Sequence, residues 1–270
     1  MTRLRIAVVG DNCIDKFLPP ISQALIGGNA VNVAVQLALL GHHAFYFGAV
    51  GPDADGHRTR TALAENGVNI AHMQEKVGKT AHTDIEVLPS GDRVFVFEDF
   101  GVCAGYRPSA GDLDVLKTMD HVHIGWLDDG GGLRQALAAS GISVSQDISV
   151  NADPVNLGID GLSIGFGSAG EDDGAVEAMV DRFLSAGVSV AVVTRGASGS
   201  LAATRTARAE TGIKDVEVVD TTGAGDSFIA GFLSVHLQGG SLQAAIESGR
   251  DQAASACSHV GGFPQTPMPL

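Results

Sequence analysis

The stretch Asp220-Thr221-Thr222-Gly223-Ala224-Gly225-Asp226 combines two glycines with a carboxylate just ahead of a helix-period apolar run, Phe228-Ile229-Ala230-Gly231-Phe232-Leu233. Glycine lets a ligand approach the backbone closely, and the first amides of a helix starting there point outward unpaired. Such amides favour an anion. Beside a bound phosphate, Asp226 would be repelled unless a metal or a reacting hydroxyl came between, so it stands where a proton would be accepted. The helix dipole is expected to favour its charged form. The competing reading is an ordinary turn in which Asp226 caps a helix, a position that Asp prefers.

Before this stretch, the run Val216-Glu217-Val218-Val219 reads as a strand, giving strand, tight turn and helix in succession. A first buried strand is expected at Ile6-Ala7-Val8-Val9, with Asp11, Asn12 and Asp15 beyond its carboxyl end, where open α/β sheets bind ligands. Asp11 and Asn12 making local side-chain turns is the alternative. The segment 27–41 opens on Gly27-Gly28 and closes on Gly41, which brackets a helix that is apolar almost all round. Asn29 and Asn32 share a face at its start, and two amides there can both donate to and accept from sugar hydroxyls. Asn29 as a plain N-cap competes with this. Asn32, inside an apolar helix, needs partners of its own.

Residues 45–51 read as a strand, 52–56 as a turn and 59–67 as a short helix. From about 80 to 100 the texture becomes alternating around Ser90-Gly91-Asp92, which predicts a hairpin with one wet face that could act as a lid. Arg93 at its tip is a candidate to touch substrate or phosphate, against the commoner role of a solvated turn residue. Gly78-Lys79-Thr80 has the look of a P-loop ending, but Met73 stands where the first glycine belongs and no buried strand precedes it, so it reads as a loop. Strands are expected at 121–126, 142–145 and 188–193, the last followed by the glycine turn Thr194-Arg195-Gly196-Ala197-Ser198-Gly199-Ser200. His121 and His123 lack metal-ligand company and read as structural. Helices are expected at 134–139 and 242–257. The alternation of strand and helix predicts a parallel α/β sheet covered on both faces.

With 270 residues, 44% of them hydrophobic, a mean hydropathy of +0.18 and a net charge of -14, the chain is a folded acidic protein. That charge argues against nucleic-acid partners and against a polybasic membrane face. A nucleotide, held locally by helix N-termini, a few basic residues and metal, suits it better. Cys13, Cys103 and Cys257 are scattered, which suggests neither a disulfide framework nor a zinc site. With no signal-like or membrane-spanning apolar run, a soluble cytoplasmic protein is expected.

Taken in order, Gly27-Gly28-Asn29, the segment 48–56, the segment 193–200 and Asp220 to Phe232 resemble the PfkB (ribokinase-like) family of carbohydrate kinases over nearly the whole chain. Within that family, residues 10–15, 28–35 and 226–233 are most similar to the branch that phosphorylates fructosamines. The resemblance implies a three-layer α/β/α sandwich with a mostly parallel central sheet. It implies one kinase domain over 1–270, with a small β lid drawn from about 12–26 and 80–103. The implied reaction is ATP-dependent phosphorylation of a sugar hydroxyl, a fructosamine such as fructoselysine being the favoured acceptor, with Mg2+ as cofactor. Another sugar, a nucleoside, or a non-catalytic binder of the same fold are the alternatives. Asp226 would be the base, and the amides of Gly223, Ala224, Gly225 and Asp226 the anion hole. Asp11, Gly28, Asn29 and Asn32 would contact sugar. Thr194, Gly196 and Gly199 would line the nucleotide site, with Gly261 near the adenine end. Asp220 and Thr222 match positions that hold a monovalent cation such as K+ in some members. The family's Asn-x-x-Glu motif stands here as Ser168-Ala169-Gly170-Glu171, which keeps Glu171 for magnesium and loses the Asn. A homodimer through the lid is a further expectation.

Overall fold

The computed structural model describes residues 2–88, 93–151 and 153–270. In chain order the strands and helices are β1 (Arg5–Val9), β2 (Cys13–Phe17), β3 (Gln23–Gly27), α1 (Asn29–Leu39), β4 (His43–Phe47), β5 (Ala49–Val50), α2 (Ala54–Glu65), β6 (Gln74–Glu75), β7 (His82–Val87) and β8 (Arg93–Asp99). There follow α3 (Ala110–Leu116), β9 (His121–Ile124), α4 (Gly132–Ala139), β10 (Val144–Asp147), β11 (Ile164–Ser168), α5 (Asp173–Ser185), β12 (Val190–Thr194), β13 (Ser200–Ala203), β14 (Arg208–Thr211), α6 (Ala224–His236), α7 (Leu242–Ala256) and β15 (Met268–Pro269).

The central sheet has the order β14-β13-β12-β11-β10-β9-β1-β4. It is parallel from β12 to β4, and β13 and β14 complete one edge antiparallel. In β1, Ile6 and Val8 join one buried core while Ala7 and Val9 join the other, the pattern of a strand covered on both faces. Residues of α1, α6 and α7 fill the first core, and residues of α3, α4 and α5 the second. The result is the three-layer α/β/α sandwich. Among the described residues no helix is long and apolar enough to cross a membrane.

A second sheet, β15-β3-β2-β7-β8, is built from the segment after β1, the alternating hairpin and the tail. Its covered face is small: Phe17, Leu25 and Ile85, with Val87 against them. The Ser90-Gly91-Asp92 turn and the side chain of Arg93 lie outside the described residues.

Three expectations change. Residues 216–219 form no strand; Val216, Val218 and Val219 are exposed, with Val219 N donating to Cys257 O at 2.8 Å. β-Branched composition signals a strand only where a neighbouring strand exists to pair with it. The helix expected at 59–67 begins earlier, at Ala54, because Asp53 caps it, Oδ1 accepting from Gly56 N at 2.8 Å. Nor does β8 have one wet face: Val94, Phe95, Val96 and Phe97 are all exposed. Thr80, the end of the P-loop look-alike, is buried and donates through Oγ1 to Asp53 Oδ1 at 2.6 Å, which ties a loop rather than a phosphate.

Candidate active site

Of the residues singled out in the sequence, Asp11, Gly28, Asn29, Asn32 and Asp226 converge where β1, β10 and the N-termini of α1 and α6 meet. The chain enters α1 through Gly28 at φ 101, packed so tightly that a Cβ there would lie 2.6 Å from Asn12 Cα. Gly28, not Asn29, is the N-cap, and it offers no side chain. Asp11 supplies the missing acceptor from the end of β1, its two oxygens taking Asn29 N at 3.0 Å and Ala30 N at 3.1 Å. This frees the amide groups of Asn29 and Asn32 to reach across to α6. Nδ2 of Asn29 donates to Asp226 Oδ1 at 2.6 Å, and Nδ2 of Asn32 to Asp226 Oδ2 at 2.7 Å.

The α6 helix starts at Gly223, whose φ of 72 makes it a left-handed N-cap, so Asp226 lies three positions in and caps nothing. A Cβ on Gly223 would meet Gly262 Cα at 2.4 Å, while one on Gly225 would meet nothing within 4 Å. The turn is closed behind and open in front, which is the shape of an anion cradle.

The charge expected on Asp226 is corrected by its surroundings. Burial pushes its carboxyl up to about 8, the charges of Asp147 and Asp11 push the same way, and the Asn32 and Asn29 amides only partly oppose them. Desolvation outweighs the helix dipole here. Burial likewise raises Asp11 to about 6 against its amide bonds, and raises Asp147.

Asp147 has no counterpart among the residues singled out from sequence. It ends β10, two residues beyond the predicted strand end, and its Oδ2 lies 3.3 Å from Asn29 Nδ2. A lone Asp closing a buried strand on the ligand side, with Ser two residues on, was the available signal. Phe100 and Trp126 were missed as well. Their rings stack at 4.2 Å with planes 9° apart, joining the end of β8 to the end of β9 beside Asp11. Nothing in their types or spacing announces this pairing.

The remaining residues lie elsewhere in the fold. Thr194 ends β12 with Oγ1 3.4 Å from Gly167 O, and Gly196 and Gly199 turn the chain at φ 55 and 87. A Cβ on Gly199 would lie 2.0 Å from Thr211 O. Glu171 is exposed on the turn after β11, 4.0 Å from where a Cβ of Gly196 would stand, and is not part of the Asp226 cluster. Asp220 is buried and clamps the entry to α6, accepting from Thr222 N at 2.7 Å and from Gly261 N at 2.8 Å. His121 and His123 lie inside the sheet, bonded to Ser143 and Ser145, and are structural as expected. Among the described residues no cluster of three or more His, Cys, Asp or Glu could hold a metal by itself.

The profile of the pfkB family carbohydrate kinases matches residues 23–127 and 142–268. The chain is 35% identical to the fructoselysine 6-kinase of Shigella flexneri over 260 residues, covering 96% of this chain and 99% of that one. It is 26% identical to the fructosamine kinase FrlD of Bacillus subtilis, covering 96% and 93%. Among solved structures, the ribokinase of Arabidopsis thaliana, complexed with ribose and ATP, superposes with a TM-score of 0.87 at 22% identity, covering 98% and 96%.

Proposed function

The chain belongs to the pfkB family of carbohydrate kinases and is an ATP-dependent sugar kinase; we propose that its acceptor is a fructosamine such as fructoselysine, phosphorylated on the 6-hydroxyl, with Asp226 taking the hydroxyl proton. One observation carries this reading: Asp226 is held through both oxygens by Asn29 and Asn32 at the open N-terminal turn of α6. A base so fixed, beside amides that neutralise a phosphate without reorganising, meets the two main needs of phosphoryl transfer.

The sugar end favours an amine-bearing acceptor. Asp11, Asp147 and Asp226 converge on the start of α1, and the protonated amine of a fructosamine complements them better than a neutral sugar does. A cation arriving there also favours the ionised, proton-accepting form of Asp226. The Phe100–Trp126 stack gives a second reading, a nucleoside acceptor with its base against these rings.

At the nucleotide end, Thr194, Gly196 and Gly199 offer backbone to the phosphates. Exposed Val218, Val219 and Val260 flank the Asp220–Gly261 link and offer an apolar cleft to adenine. Mg2+ would be held by the ATP phosphates with the exposed Glu171 as a carboxylate partner, and would neutralise charge on the transferred group. A monovalent cation beside Asp220 and Thr222 is testable by comparing activity in K+ and in tetramethylammonium salts. The exposed Val94 to Phe97 row of β8 suits a second copy of the chain, joining lid to lid.

The test is ADP release with Mg-ATP against fructoselysine, other fructosamines, fructose, ribose and adenosine, run beside Asp226→Asn. Turnover confined to fructosamines, and lost in the variant, is the expected result. Preferred turnover of adenosine would establish the nucleoside reading, and bound ATP with no turnover on any acceptor would overturn both.

A further inference from the structure

In the scheme above Asp147 is only one of three acids near the acceptor amine, yet its own geometry is closely defined. It is 6% exposed, and its Oδ1 accepts from Ser149 N at 2.9 Å and from Ser149 Oγ at 2.6 Å. Its Oδ2 faces Nδ2 of Asn29 at 3.3 Å, and that same nitrogen donates to Asp226 Oδ1 at 2.6 Å. An amide nitrogen carries two hydrogens, and here each is aimed at a different carboxylate. The oxygen of Asn29 is buried on the other side without a hydrogen-bond partner among the described residues, against Gly125, where a Cβ would lie 2.3 Å from it. Turning this amide over would satisfy neither carboxylate and would set an oxygen against both.

We propose that Asp147 is a positioning residue: it holds the nitrogen of the Asn29 amide toward Asp226, and through that amide fixes the orientation of the base. The proposal rests on the kinase reading in which Asp226 is the base. Asp226 has a second holder, Asn32, but that bond fixes only Oδ2. Rotation about the Cβ–Cγ bond of Asp226 is stopped by the bond to Oδ1, and the direction of that bond depends on Asn29.

Asp147→Asn separates this role from a plain turn-forming one. The Asn oxygen keeps the Ser149 contacts, so the turn survives, but its NH2 then meets the NH2 of Asn29 and drives that amide over. A residue that only shapes the turn would be rescued by Asn; a positioning residue is harmed by it more than by Ala. With fructoselysine and Mg-ATP, Asp147→Asn is expected to lower kcat by about 100-fold while leaving the KM for ATP unchanged, and Asp147→Ala to lower it less. In an Asn29→Ala background the effect of Asp147→Asn shrinks to within about twofold, because the intermediary is gone.

A kcat for Asp147→Asn within about twofold of the wild type would overturn the proposal. An undiminished loss in the Asn29→Ala background would overturn it equally. If Asp147→Asn does not fold, Asp147→Ala carries the same cycle. Failure of the kinase reading shows itself separately, as a wild type without turnover. In that case the 15N–1H signals of the Asn29 side chain decide: a shift on Asp147→Ala supports the clamp, and no shift overturns it.

Discussion

Asn32 and Asp226 meet across the first turns of two helices, Nδ2 to Oδ2 at 2.7 Å, and Gly262 backs Asn32 so closely that a Cβ there would stand 2.3 Å from its Cγ. Asp226, the proposed base, is thus aligned by a main-chain surface on the far side of its partner. Gly262→Ala should push Asn32 off Asp226 and lower kcat by about 10²-fold, with far-UV circular dichroism unchanged. Wild-type kcat in that variant would show that Asn32 has room to yield.

Asp226→Asn should lower kcat by about 10²- to 10⁴-fold, as loss of a general base does. It should also make the stability of the unliganded protein less dependent on pH. The carboxyl is raised from 3.8 to about 8, so its contribution to stability is present below 3.8 and is lost as pH rises toward 8. The variant has no such loss, and its melting temperature relative to the wild type should rise from pH 4 to pH 8. Equal pH dependence in both proteins would contradict the raised pKa.

The same carboxyl must be ionised to accept a proton. In the free enzyme, kcat/KM should therefore climb through neutral pH and level off above about 8. In kcat the limb should lie at lower pH, because a cationic acceptor favours the ionised form. An acidic limb near 4 in kcat/KM would mean that Asp226 is not the titrating base.

Burial holds His121 and His123 neutral, bringing each from 6.5 to about 3. A depressed histidine contributes stability that is present above the unfolded value and lost as pH falls from 6.5 toward 3. Each such proton adds a slope of about 1.4 kcal/mol per pH unit. Chemical denaturation from pH 7 to pH 4 should show a shallower acid loss in His123→Gln than in the wild type. Identical slopes would show that His123 already binds its proton in the folded state.

Phe95, at 71% exposure, and Phe97 are the most open apolar side chains of β8. Phe95→Asp together with Phe97→Asp should turn a dimer into a monomer in sedimentation velocity, like charges on facing strands being unfavourable. A wild type that sediments as a monomer would remove the lid-to-lid reading.

The fold was legible wherever local residue types decided it. The unbroken apolar run of β1, the glycine-bracketed α1 and the glycine turn before α6 each carry their own signal. Asn32 was legible because an amide inside an apolar helix demands partners. Asp147 was not, since its meaning comes from Asn29, 118 residues away in sequence. The charge state of Asp226 was misjudged for the same reason: the helix dipole is a local property, whereas desolvation and the fields of Asp11 and Asp147 arrive through the tertiary fold. The valines at 216–219 carry strand-like composition without a strand, because an exposed rim and a sheet can use the same residue types.

The second sheet is not closed by its own neighbourhood. Ile26 in β3 is bracketed by Gln265, N to Oε1 at 2.7 Å and O to Nε2 at 2.7 Å, across 239 residues of chain, and β15 pairs alongside. During synthesis, β3 leaves the ribosome long before its outer partner exists. Its free edge must stay unpaired, or be shielded by chaperones, until the whole central sheet has been made. The protein should therefore complete its second sheet late in folding, and nascent chains that stop short of Gln265 should expose that edge to aggregation.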